Sequence, residues 1–151
     1  MSVEEKDLAY LEIALSVSLL SKDPHRKVGA LVVDADRRYE DFGYNGFPSG
    51  IADDKRLENK ETKHPLMIHA ERNALDKACF DLRGGTLYCT RPICLECAKS
   101  AKNLGITRAV VFDEPQGREW EDTQYAAARL FEEAMVEMKI YVAEERKRHD
   151  V

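Results

Sequence analysis

Two short stretches carry the residues best suited to chemistry, His69-Ala70-Glu71 and Cys94-Leu95-Glu96-Cys97. One imidazole and two thiols form a soft-to-borderline ligand set, and three protein ligands with an open fourth position is how catalytic zinc is commonly held. Zinc held this way makes hydroxide available from water near neutral pH. Glu71, two residues beyond the histidine, is then a carboxylate outside the ligand set that can move protons during such an attack. Taken singly, each motif has a plainer reading. A lone His-x-Glu is commonly a surface or capping pair, and a lone Cys-x-x-Cys is structural zinc, a redox pair or two buried thiols at helical spacing. Together they favour catalytic zinc, because a structural site closes with four protein ligands and needs no free acid.

Spacing then sets conditions on the elements that must hold these groups. His69 and Glu71, two apart, do not share a face of a regular helix, so His69 belongs at a helix start with Glu71 in its first turn. Cys94 and Cys97, three apart, can share a face at the start of the next helix, where the positive end of the helix helps hold a thiolate. Apolar periodicity predicts an amphipathic helix from about Glu4 to Ser21 carrying Leu8, Leu11, Leu15 and Leu19, stopped by Asp23-Pro24. Val28 to Val33 reads as a buried strand, and Arg38 to Tyr44 as its hairpin partner. Gly43 to Gly50 is too rich in turn residues for regular structure. Residues 53–63 read as a charged surface loop with a helical piece.

After His64-Pro65, a helix reaching Cys79 precedes Gly84-Gly85, and Thr86 to Thr90 is a strand. A helix from Cys94 to Leu104, capped by Gly105, leads to a strand at Ala109 to Phe112. A longer helix spans Trp120 to Met138, followed by a last strand at Ile140 to Ala143 and a charged tail from Glu144. The alternation predicts one α/β domain over residues 1–151: a three-layer α/β/α fold with a five-stranded mixed sheet and helices on both faces. The helix between the last two strands permits parallel pairing there. Cys79 and Cys89 read as core thiols, His25 and His64 as loop residues, and His149 as part of the tail.

Charge narrows the partners. With 23 basic and 28 acidic residues the chain carries a net charge of −5, and no basic stripe of the kind that tracks a polynucleotide backbone is visible. A polar, acidic N-terminus and the lack of a long apolar run predict neither a secretory signal nor a membrane span. Four cysteines including a close pair then fit a reducing, cytoplasmic setting.

Ser21-Lys22-Asp23-Pro24, Val28-Gly29-Ala30, Gly43-Tyr44-Asn45-Gly46-Phe47-Pro48, His69-Ala70-Glu71 and Cys94-x-x-Cys97-Ala98-Lys99 together resemble the zinc-dependent deoxycytidylate (dCMP) deaminases, through most of the chain up to about Phe112. The resemblance implies the cytidine-deaminase-like fold and hydrolytic deamination of dCMP to dUMP and ammonia. It assigns one catalytic Zn2+ to His69, Cys94 and Cys97, and the proton transfers to Glu71. It places Asn45 at the substrate sugar and Ser21 and Lys22 near the nucleotide. It also implies an allosteric nucleotide site drawing on Gly43, Tyr44, Gly46, Phe47, Lys63 and His64, activated by dCTP and inhibited by dTTP, with Mg2+ accompanying the triphosphate. The family forms homo-oligomers, often hexamers. Two alternatives stand beside it: the same zinc chemistry on cytosine or adenine in RNA or single-stranded DNA, and a non-catalytic nucleotide-sensing zinc module.

The chain departs from the family pattern twice. Ile93 stands directly before the first cysteine where proline is usual, with Pro92 one step earlier. After Phe112, Asp113-Glu114-Pro115-Gln116-Gly117 offers no counterpart to a tyrosine that contacts the substrate phosphate in many relatives. Lys22, Arg26 and Lys27 are the nearby basic residues that could compensate.

Overall fold

The structure, a computed structural model, describes residues 1–114 and 118–142. Pro115-Gln116-Gly117, Ala143 at the end of the expected last strand, and the tail with His149 lie outside the described residues. A five-stranded sheet forms from β1 (Gly29–Val33), β2 (Glu40–Tyr44), β3 (Thr86–Cys89), β4 (Arg108–Phe112) and β5 (Glu137–Tyr141), in the order β2-β1-β3-β4-β5. β1 is antiparallel to both β2 and β3, whereas β3, β4 and β5 run parallel. The mixed sheet expected from the sequence is therefore present, including the parallel last pair.

Alternate side chains of the central strands feed two separate cores. Leu31 and Val33 of β1, Tyr88 of β3 and Val110 and Phe112 of β4 pack with Leu8 and Leu11 of helix α1 (Val3–Ser18) on one face. Ala30, Val32, Leu87, Cys89, Ala109 and Val111 point the other way. There they meet α3 (Ala70–Lys77), α4 (Leu95–Asn103) and α5 (Arg118–Glu133) through residues such as Ala74, Ala98 and Phe131. Burial on both faces explains why these strands read as apolar runs rather than alternating ones. Between β2 and α3 the chain forms a 3-10 turn (Lys55–Glu58) and the short helix α2 (Lys60–Lys63).

Three boundaries differ from the sequence reading. Helix α1 ends at Ser18, because Leu19, Leu20 and Ser21 close i to i+3 bonds to Ser16, Val17 and Ser18. Leu19 and Leu20 consequently lie in solvent rather than on the buried face. Helix α3 stops at Lys77, leaving Cys79 exposed with its thiol near the Lys77 carbonyl, so Cys79 is not a core thiol, while Cys89 is. Helix α5 starts before Trp120 and ends at Glu133, where Met135 adopts a positive φ of 59° and Val136 N–H reaches back to Phe131 O. No glycine marks this left-handed stop, and Met138 therefore belongs to β5. No helix among the described residues is long and apolar enough to cross a membrane.

Candidate active site

The cluster lies where the chain leaves the carboxyl end of β3 and enters α4, opposite the start of α3. Open α/β sheets commonly bind ligands outside the carboxyl ends of their strands. His69 is the N-cap of α3, and Cys94 is the N-cap of α4. Neither side chain makes the usual capping bond. For α4 the duty passes to Thr123 of α5, whose Oγ1 accepts the Leu95 N–H at 2.9 Å. The Cys94 thiol is thereby left for another partner. His69 Nδ1 lies 3.3 Å from Cys94 Sγ and 3.5 Å from Cys97 Sγ.

Glu71 completes the group: the donor atoms of His69, Glu71, Cys94 and Cys97 all lie within 4.8 Å of one another. An imidazole and two thiols at this spacing, with a carboxylate to one side, fit a zinc ion held by three residues. His69, Cys94 and Cys97 would hold it, leaving Glu71 to handle protons.

The electrostatics follow from burial and proximity. Hydrogen bonding from the Cys97 thiol, with that of the His69 imidazole, pulls Cys94 down to about 4, while the same contact and burial push Cys97 up. The Cys94 contact raises His69, against its burial. Glu71 is 4% exposed, and burial raises its proton affinity despite the neighbouring imidazole. Beneath it, the buried Cys89 thiol is pushed well up by burial and by the Glu71 charge.

A cavity of about 460 Å³ opens over this cluster. Its wall includes Asn45, Lys63, His64, His69, Glu71 and Cys94, so two of the residues that the resemblance assigns to an allosteric site border the same space as His69 and Cys94. Lys63 is buried and paired with Asp23 at 3.1 Å. Asn45 is 5% exposed, and its amide braces the neighbouring turn: Oδ1 accepts the Val28 N–H at 2.9 Å and Nδ2 donates to Arg26 O at 2.8 Å. Ser21 is buried away from the cavity lining, donating to Asn45 O and accepting from Asp23 N–H. Lys22 is exposed and does not line it.

The remaining loop residues lie behind the site. Gly43 has no room for a side chain, because a Cβ there would press on the Ala70 carbonyl and the Ala74 amide of α3. Tyr44 O accepts from Asn73 Nδ2 at 2.8 Å. Gly46 exchanges backbone hydrogen bonds with Ile68, the residue before His69. Phe47 lies under the Arg56 guanidinium, 5.7 Å from its ring centre. The proline departure is also accommodated: Ile93 is 1% exposed and joins the core with Ala98, as an apolar residue before an N-cap packs near the first turn. Pro92 lines the cavity.

Sequence reasoning missed Trp120 and Cys89 as neighbours of the site; of the three basic residues it named nearby, Arg26 lines the cavity. The Trp120 ring lies 6.3 Å from the His69 ring and 6.1 Å from that of His64. Trp120 is the single tryptophan of the chain, which was the available signal, but its position at the start of a helix gave no distance to His69.

Residues 4–113 match the cytidine and deoxycytidylate deaminase zinc-binding region. The chain belongs to that deaminase family. It is 37% identical over 128 residues to deoxycytidylate deaminase of Mus musculus, covering 80% of this chain and 70% of the mouse protein. Against the Homo sapiens enzyme of the same name it is 34% identical over 140 residues, covering 88% and 78%. The deaminase also superposes on dCMP deaminase from the cyanophage S-TIM5, solved in complex with dCMP and dUMP, with a TM-score of 0.74 and 26% identity over 93% of this chain and 99% of the phage chain. These matches identify this deaminase as a hydrolase with the cytidine-deaminase-like fold.

Proposed function

We propose that this deaminase converts dCMP and water to dUMP and ammonia within one domain spanning residues 1–151. The observation that carries the reading is the buried Glu71 carboxylate beside a three-ligand cluster at the floor of a cavity. Similarity to the mouse, human and phage proteins supports dCMP over other cytosine compounds. Zinc, when bound, supplies Lewis acidity that makes hydroxide available near neutral pH. Glu71 takes the proton displaced from the attacking water and delivers it to the ring nitrogen beside the amino-bearing carbon. It then moves the remaining proton of the added hydroxyl to the amino group, so that the C–O bond becomes a carbonyl, C–N breaks and ammonia leaves. Burial around Glu71 excludes bulk water from these transfers.

The proposal extends to regulation by dCTP and dTTP, with Mg2+ on the triphosphate, in a cytoplasmic homo-oligomer such as a hexamer. The resemblance of the Gly43 to Pro48 loop supports it. So does the loop's paired hydrogen bonding through Gly46 to Ile68, since a ligand that shifts this loop acts directly on the residue preceding a metal ligand. Steady-state ammonia release tests the substrate, using dCMP, deoxycytidine, CMP and a cytosine-containing single-stranded oligonucleotide, each with and without dCTP or dTTP. Preferred turnover of dCMP is expected; preferred turnover of the oligonucleotide, or none with zinc fully bound, would contradict the reading.

A further inference from the structure

The three basic residues near the cavity are treated differently by the fold. Lys22 is exposed and away from the cavity. Lys27 is exposed, and its ammonium donates to the Ser21 carbonyl. Arg26 alone of the three lines the cavity, with its guanidinium 5.2 Å from the centre of the Trp120 ring. Trp120 in turn stands against His69, so two ring contacts connect the Arg26 charge to the metal-binding cluster.

The other lysines and arginines on the cavity wall are already engaged. Lys63 is paired with Asp23, and Arg91 with Glu114 at 3.1 Å. Lys60 is exposed. Arg26 has no carboxylate partner among the described residues, and its contact with Trp120 leaves the guanidinium hydrogens available. Its backbone is fixed from both sides. Asp23 Oδ1 accepts the His25 and Arg26 N–H groups at 2.9 and 3.2 Å, and Asn45 Nδ2 holds the Arg26 carbonyl. The buried Lys63 ammonium holds Asp23 in turn. With its backbone held and its guanidinium against Trp120, Arg26 presents a planar fork suited to phosphate oxygens at reduced ordering cost.

We infer that Arg26, seated over Trp120 and anchored through Asp23 and Asn45, is the specificity residue that reads the substrate phosphate in this chain, filling the role of the tyrosine missing after Phe112. The inference rests on the dCMP reading. It also gives Asn45 a positioning role, since the amide that lines the cavity holds the arginine's turn.

Selectivity for the phosphate, measured as kcat/KM for dCMP over kcat/KM for deoxycytidine, tests it in zinc-loaded wild type, Arg26→Ala and Arg26→Lys. Losing a charged hydrogen-bonding group costs roughly 10- to 100-fold, so the ratio should fall by that factor in Arg26→Ala, mainly through a higher KM for dCMP. Arg26→Lys should recover part of it, because a point charge replaces a two-pronged donor. An Arg26→Ala protein that binds zinc and keeps the wild-type ratio would overturn the inference while leaving the dCMP reading intact. A wild type with no preference for dCMP would overturn that reading itself, and the inference with it.

Discussion

The two faces of the sheet both bury charge, and they do so to opposite ends. On the α1 face, Asp7 is fully buried and completely answered within the chain. Arg108 meets it with both terminal nitrogens, and the Tyr88 and Tyr141 hydroxyls donate to it at 3.1 and 2.7 Å. On the opposite face, the donor atoms of His69, Glu71, Cys94 and Cys97 converge within 4.8 Å of one another beside a cavity. The first group is closed and contributes to stability. The second is open, bordering a cavity, and its side chains suit a metal ion and a reacting partner. Burial of polar groups alone therefore does not mark a functional site; a set of ligand-type side chains bordering a cavity does.

Breaking the open cluster should produce the larger effect. Cys97→Ala removes a proposed direct ligand, so its loss of zinc affinity should exceed the roughly 10- to 100-fold cost of losing a group that merely orients a ligand. Zinc content per folded chain, together with ammonia release, measures this. Retention of one tight zinc in the variant would remove Cys97 from the ligand set.

Breaking the closed cluster should instead act on stability. Arg108→Met strands the buried Asp7 carboxylate, at an expected cost of about 3–5 kcal/mol. Urea unfolding reads the loss, and Asp7→Asn combined with Arg108→Met should recover much of it. If the single and double variants are equally unstable, the pair is not acting as a compensated charge.

Acid sharpens the contrast by a smaller amount. Burial alone would raise Asp7, but Arg108 and the Tyr141 and Tyr88 hydroxyls overcome it and hold the carboxyl below its ordinary value of 3.8. The unfolded chain thus takes up this proton first. The stabilisation is complete above the ordinary carboxylate range and is lost as pH falls through the ordinary value to the lower folded one. The urea midpoint should be higher at about pH 6 than at about pH 3, with less pH dependence in Asp7→Asn. Equal pH dependence in wild type and Asp7→Asn would contradict this assignment.

Much of the open cluster was legible because its members come as two local motifs whose spacing survives folding. His69 starts a helix, Glu71 falls in its first turn, and Cys94 and Cys97 open the next helix, as the spacing requires. The layers were legible too, since strands buried on both faces are continuous apolar runs. The closed network was not. Asp7 and Arg108 lie 101 positions apart, so no local pattern links them. The Asp23 and Lys63 pair, and the approach of Trp120 to His69 and Arg26, likewise depend on packing between elements distant in the chain. The early end of α5 was hidden for a different reason: Met135 takes the left-handed conformation that a glycine would have signalled.

The most direct test of the central claim is turnover of dCMP by zinc-loaded Glu71→Gln. The substitution keeps the side chain's size and removes its ability to carry a proton between water, ring nitrogen and amine. Turnover should fall by about 10²- to 10⁴-fold, with zinc still at one equivalent per chain. Wild-type turnover by that zinc-loaded variant would contradict the account.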